Sequence, residues 1–212
     1  MGKRLHHPNC ESNQPHLQSD MNNIKRTFVA IPIHCGEEFA TLTQHLQKNL
    51  GHEYRNINWC KTTQIHLTLK FVGDTPAQDI PTIIEACQKV AQRHQPFSMD
   101  FNRTGLFGSN HSPRVLWLGM KDQPKALFDL EDDILDAFDA LGYLRDRQNF
   151  VPHLTLCRIK RLIDKQFFMQ IYQSIEQKTY IYEQVKDIIY FQSFLNTTGV
   201  NHKILKRIPL GQ

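Results

Sequence analysis

The tetrapeptide His-Leu-Thr-Leu occurs twice, at His66–Leu69 and at His153–Leu156, each time inside a run that alternates as a strand does. A strand turns successive side chains to opposite faces. In both copies, therefore, the leucines share one face, while His and Thr share the other about 7 Å apart. A single copy would say little, because threonine suits the pleat and a lone strand histidine is usually structural. Two identical copies in corresponding positions of two similar halves point to a duplicated architecture. Such halves tend to face each other across a pseudo-twofold axis. That axis brings both His/Thr faces to one cleft and leaves four leucines to anchor the strands beneath.

The rest of the chain reads as two rounds of strand, helix, strand, helix. Arg26 to Ile33 alternates as an opening strand, and Phe39, Leu42, Leu46 and Leu50 recur at helical spacing up to a stop at Gly51. Ile65, Leu67, Leu69 and Phe71 then take one face of a strand, with His66, Thr68 and Lys70 on the other. Asp74, Thr75 and Pro76 read as a helix start before Ile80, Ile84, Cys87 and Ala91. Phe97 to Phe101 and Val115 to Leu118 are extended, and the Gly- and Ser-rich stretch from Gly105 to Pro113 between them reads as a loop. A helix from Pro124 to Leu141 stops at Gly142, and another covers about Asp164 to Gln177. The last strands fall near Val185 to Leu195 and Lys203 to Ile208. Without a Gly-rich phosphate loop, this order argues for an α+β fold of two lobes, each a sheet backed by helices.

With 212 residues and 40% apolar content, the chain has material for one substantial core. Residues 1 to 23 are expected to be a flexible, tag-like or upstream extension, being rich in His, Asn, Gln, Ser and Pro. Residues 24 to 212 are expected to form a single bilobal domain. The net charge of +4 suits a phosphate-bearing substrate without announcing a duplex-binding surface. Five cysteines without CxxC spacing suggest neither a disulfide framework nor a thiolate metal site, and fit a reducing cytoplasm. No apolar run is long enough for a secretory signal or a membrane span.

The chemistry available to two facing His/Thr pairs is in-line acid–base catalysis. Near neutral pH one imidazole can accept a proton while the other donates one. Opening a cyclic phosphate needs a base on the attacking water and an acid on the departing ribose oxygen, on opposite sides of phosphorus. The hydroxyls of Thr68 and Thr155 would donate to the non-bridging oxygens. Two identical motifs leave open which histidine is acid and which is base. A metal site fits poorly, since there is no HExxH, no His-x-His and no carboxylate cluster at ligand spacing. A serine triad lacks its GxSxG elbow. Neither metal nor cofactor is expected.

The paired HLTL motifs resemble the HxTx signature of the two-histidine phosphoesterase superfamily. The runs RTFVAIPI, IHLTLKFVGD, PRVLWLGM and FVPHLTLCRIK resemble, in order, its LigT-like RNA 2',3'-cyclic phosphodiesterase branch, over about residues 24 to 210. The resemblance implies two antiparallel sheets with outer helices about a central cleft. It also implies metal-free hydrolysis of RNA 2',3'-cyclic phosphate ends to 2'-phosphomonoesters, with a possible reversible 2'-5' RNA ligase activity. The expected partner is an RNA or oligonucleotide with such an end, met by a monomer away from membranes. Residue by residue, it makes His66, Thr68, His153 and Thr155 catalytic and associates Arg158 with phosphate. Strict alternation from His153, however, sends Arg158 to the opposite face unless the strand bends or ends near Cys157. Trp59 and Phe150 are candidates to stack on the terminal base, whereas core packing is the better account of Phe28. Arg103, Arg114, Lys70, Arg145 and Arg147 could steer an RNA backbone, although basic residues at this density commonly form a solvated surface. The alternatives are a catalytically weak RNA-end-binding module, or a phosphodiesterase for another cyclic or 2'-5' linked nucleotide.

Overall fold

The computed structural model of the chain describes residues 23–109, 112–145, 149–196 and 199–211. The extension expected at residues 1–23 therefore lies, save Asn23, outside the described residues, as does Arg147. Among the described residues, ten strands and four α-helices follow in the order β1 (Ile24–Pro32), α1 (Glu37–Asn49), β2 (Ile57–Trp59), β3 (His66–Pro76), α2 (Ile80–Ala91), β4 (Phe97–Phe101), β5 (Arg103–Ser109), β6 (Ser112–Gly119), α3 (Lys125–Ala140), β7 (Leu154–Ile159), α4 (Lys165–Gln173), β8 (Ile181–Val185), β9 (Asp187–Asn196) and β10 (Gly199–Pro209). The fold is α+β. One antiparallel sheet has the order β10-β9-β1-β3 and another β2-β7-β6-β5, with β4 and β8 forming a separate two-stranded ribbon. The first motif thus sits in one four-stranded sheet and the second in the other. Helix α2 packs on α3 and against β9 and β10, and α3 reaches β3. No described helix is long and apolar enough to cross a membrane.

All four motif leucines, Leu67, Leu69, Leu154 and Leu156, are buried in one continuous core. Burying each such side chain contributes about 1.5–3 kcal/mol, so the motif strands are held from beneath by packing. Helix α4 starts where Asp164 accepts a hydrogen bond from the Phe167 N–H at 2.9 Å, a side-chain cap that satisfies one of the first turn's free donors. Past α3, Gly142 has φ 86°, the left-handed conformation expected of a helix stop.

Several local expectations yield to tertiary context. Gly51 is not a left-handed stop; it opens a 3-10 turn over Gly51–Asn56. Asp74–Pro76 still belong to β3, and α2 begins only at Ile80, with Pro81 in its first turn. The stretch from Gly105, read as a loop, is mostly strand β5. Its glycine is needed for close approach: the Trp117 ring lies across Gly105, where an added Cβ would stand 2.0 Å from the ring. Glycine in a strand thus marks a neighbour's position here, which composition alone reads as a turn.

Candidate active site

The two motifs are duplicated down to their irregularities. In β3, Ala30 of β1 pairs with Thr68 and Val29 with Lys70, so Leu69 is the extra residue of a bulge. In β7, Trp117 of β6 pairs with Thr155 and Leu116 with Cys157, so Leu156 is the extra residue. The bulge falls at the fourth position of HLTL both times. It breaks the period of two there, and the fourth and fifth residues both turn inward: Leu69 and Lys70 in one copy, Leu156 and Cys157 in the other. The sixth residue returns to the His/Thr face.

This bulge resolves the difficulty over Arg158. As sixth residue of the second motif it is exposed on the side of His153 and Thr155, not on the opposite face. In the first motif the same device reverses two strict-alternation expectations. Lys70, expected on the polar face, is buried and donates from Nζ to the Leu144 carbonyl at 2.8 Å. Phe71, expected inside, is 61% exposed. Arg158 and Phe71 occupy equivalent places in the two lobes, a cation in one and an aromatic ring in the other.

Both histidines are held alike. His66 Nδ1 lies 2.8 Å from the Gln64 carbonyl, and His153 Nδ1 lies 2.8 Å from the Val151 carbonyl. A carbonyl only accepts, so each Nδ1 carries the proton and each neutral ring keeps an unprotonated Nε2. Burial, the largest cause, pushes His66 down from the usual imidazole value to about 4, against the carbonyl bond, which raises it; the charges of His202, His153 and Arg158 lower it further. Burial likewise lowers His153, with a further lowering from Arg158. The influence of His153 and Arg158 on His66 shows the two lobes converging on one electrostatic centre. Neither threonine hydroxyl, Thr68 nor Thr155, has a hydrogen-bond partner among the described residues, so both are available to a ligand.

The surroundings break the pseudo-symmetry. Phe28 lies beneath His66 with ring centroids 5.0 Å apart and stacks on Phe191, also at 5.0 Å, while Phe71 stands 6.0 Å from Phe28 at the open end of this aromatic row. His202 of β10 meets His66 edge-on at 5.0 Å. A cavity of about 500 Å³ opens beside them, lined by His34, Gln64, His66, Phe191, His202 and Arg207 among others. In the other lobe Phe107 meets His153 edge-on at 4.7 Å. Sequence reasoning missed His202 because it stands in no motif and reaches His66 only through sheet pairing. It missed Phe71 because the bulge is invisible to period counting.

The expected stacking residues sit elsewhere. Trp59 pairs directly with Cys157, so it shares that residue's inward face and packs against the core. Phe150 packs edge-on against Phe128 of α3 at 5.7 Å. Of the candidate steering cations, Arg145 pairs with Asp132 and Asp136, and Arg103 lines a separate recess with Lys121 and Lys178. Among the described residues, no three His, Cys, Asp or Glu side chains converge as a metal site would require.

Residues 33–117, which include the first motif, match the family LigT like Phosphoesterase. The chain is 30% identical over 142 residues to an RNA 2',3'-cyclic phosphodiesterase of Archaeoglobus fulgidus, covering 67% of this chain and 77% of that protein. It is 28% identical over 180 residues to one of Thermotoga maritima, covering 85% and 92% respectively. In fold it is similar to E. coli LigT complexed with 3'-AMP, with TM-score 0.68 and 20% identity over 89% of this chain and 99% of that one.

Proposed function

Given that this chain belongs to the LigT-like phosphoesterase family, we infer that it is an RNA 2',3'-cyclic phosphodiesterase whose chemistry is carried by its two HLTL motifs. The observation that carries the assignment of residues is the matched tethering of His66 and His153, each by Nδ1 to the carbonyl two residues before it. One Nε2 takes a proton from water as its oxygen attacks phosphorus. The other, protonated, donates to the ribose 3'-oxygen as its bond to phosphorus breaks, leaving a 2'-phosphate. Thr68 and Thr155 donate to the non-bridging oxygens as charge builds, and Arg158 offsets the anion. The terminal base stacks on Phe71 in place of Trp59 or Phe150.

Catalysis without a metal belongs to the same reading, because imidazoles and hydroxyls supply every proton transfer and charge contact. Action as a monomer is consistent with a site built from one chain. A cytoplasmic setting is consistent with free thiols at Cys35, Cys60, Cys87 and Cys157. The same forward steps with an RNA 5'-hydroxyl in place of water, its oxygen bonding phosphorus as the 3'-oxygen leaves, would make a 2'-5' linkage, and their reversal would cleave it. The test of the reading is hydrolysis of a cyclic-phosphate-ended oligoribonucleotide in EDTA, expected to proceed to the 2'-phosphate. Intact cyclic ends after long incubation with folded protein would leave only an RNA-end-binding module.

The lowered pKa values predict an acid optimum. Turnover needs one neutral and one protonated imidazole. Both groups titrate below 6.5 in the free protein, His66 at about 4, so kcat/KM should be highest on the acid side of 6.5 and fall as pH rises through neutrality. Bound cyclic phosphate is an anion that favours imidazolium, which should displace the falling limb of kcat to higher pH. Arg158→Leu removes a charge that lowers both histidines and should move both limbs upward. A pH–rate profile that keeps rising above neutrality would contradict this.

Phe71→Ala should raise KM by about 5- to 150-fold, the worth of one base stacked on a ring, with a much smaller change in kcat. Because Phe71 is mostly exposed, the thermal midpoint should hardly move. An unchanged KM would remove Phe71 from the substrate path.

A further inference from the structure

At the far end of the strand pair that carries the second motif, where β6 begins and β7 ends, lies a basic recess of about 410 Å³. Arg114, Lys160, Arg161 and Lys165 line it with Ser112 and Pro113, and no acidic side chain does. Val115 pairs with Arg158, so Arg114 lies one residue beyond the cleft arginine on one strand, and Lys160 two residues beyond it on the other. At the rise of a strand, Lys160 is roughly 15 Å along the chain from Thr155.

The segment that carries Lys160 and Arg161 is held from below. Glu53, fully buried, accepts the backbone N–H groups of Ile163 and Asp164 at 2.6 Å each, and the Asn56 carbonyl accepts that of Lys160 at 2.9 Å. The exposed carboxylate of Asp164, next to Ile163 in this segment, is occupied in capping α4. Arg114, Lys160 and Arg161 have no acidic partner among the described residues. Cations gathered on a fixed loop repel one another unless an anion offsets them. Strand register places this recess at the end of β7, one to two residues past Arg158, where a strand of RNA leaving the cleft in that direction would find cations for its phosphates.

The geometry points to a phosphodiester-binding subsite: Arg114, Lys160 and Arg161 take backbone phosphates of single-stranded RNA a few nucleotides upstream of the cyclic end. Such a subsite makes turnover depend on the length of RNA behind the reacting end. This rests on the cleft reading above and extends it from the reacting end to the chain behind it.

The experiment compares the full chain with a Lys160→Ala/Arg161→Ala variant on two substrates, a nucleoside 2',3'-cyclic monophosphate and an octaribonucleotide with the same end, over a range of salt concentrations. The native chain should favour the octamer by about tenfold or more in kcat/KM, consistent with one or two further phosphates held by cations. The variant should lose that preference, and its log–log salt slope on the octamer should shrink by about 0.7 for each phosphate it no longer neutralises. Turnover of the mononucleotide should be unchanged. Equal native rates on the two substrates, or a length preference and salt slope that survive in the variant, would overturn the subsite. Should the native chain turn over neither substrate, the cleft reading fails instead. Salt-dependent binding of the octamer then decides the recess: a smaller slope in the variant supports it, and an identical slope overturns it.

Discussion

Replacing either His66 or His153 with alanine is expected to lower kcat on a cyclic-phosphate-ended oligoribonucleotide by about 10²- to 10⁴-fold, the usual worth of a positioned acid or base. Substrate affinity should change far less, because the imidazoles act on protons in flight while Arg158 and Phe71 hold the end. The double variant should lose little more than the worse single one, since an acid without its base leaves the in-line step incomplete. Both rings face the cleft rather than the core, so folding should survive, and circular dichroism with a thermal melt would verify this. Single-turnover rates for the three variants are the measurement. A variant that kept a tenth of native kcat would remove its histidine from the mechanism.

Thr68→Val and Thr155→Val are expected to cost about 10²- to 10³-fold each in kcat, the loss seen when a donor to a developing oxyanion is removed. Valine keeps the β-branched shape that suits the strand, and neither hydroxyl has a protein partner to strand among the described residues, so the change isolates the contact to the ligand. The pseudo-twofold predicts similar penalties at the two positions. A loss at one threonine alone would mean that the phosphate leans on one lobe. A rise in KM with kcat preserved would make the hydroxyls binding groups with no preference for the transition state.

The duplicated motif was readable because it depends on neighbours in sequence. Alternation separated His and Thr from leucines without any knowledge of partner strands, and the four leucines are buried as that pattern requires. The same counting failed one residue later in each copy. Lys70 and Phe71 exchanged places and Arg158 came round to the cleft, because a bulge is a relation between two strands and appears only when the partner's register is known. Gly105 looked like a loop residue for the same kind of reason: its lack of a side chain answers to Trp117, which lies across from it in the sheet. Trp59 and Phe150 were near the motifs in sequence, yet pairing with Cys157 took one inward and Phe128 of α3 claimed the other.

The sequence by itself determined the local pattern: two imidazoles and two hydroxyls on the polar faces of two leucine-anchored strands, the set that the proposed proton transfers call for. Tertiary structure alone decided what surrounds that set. Cross-strand register aimed Arg158 and Phe71, sheet order set His202 against His66, and the buried Glu53 fixed the basic loop beyond β7. Periodicity is a short-range property of a covalent chain, whereas these placements come from contacts between residues up to 136 positions apart. Their energies exist only once the core has closed around them.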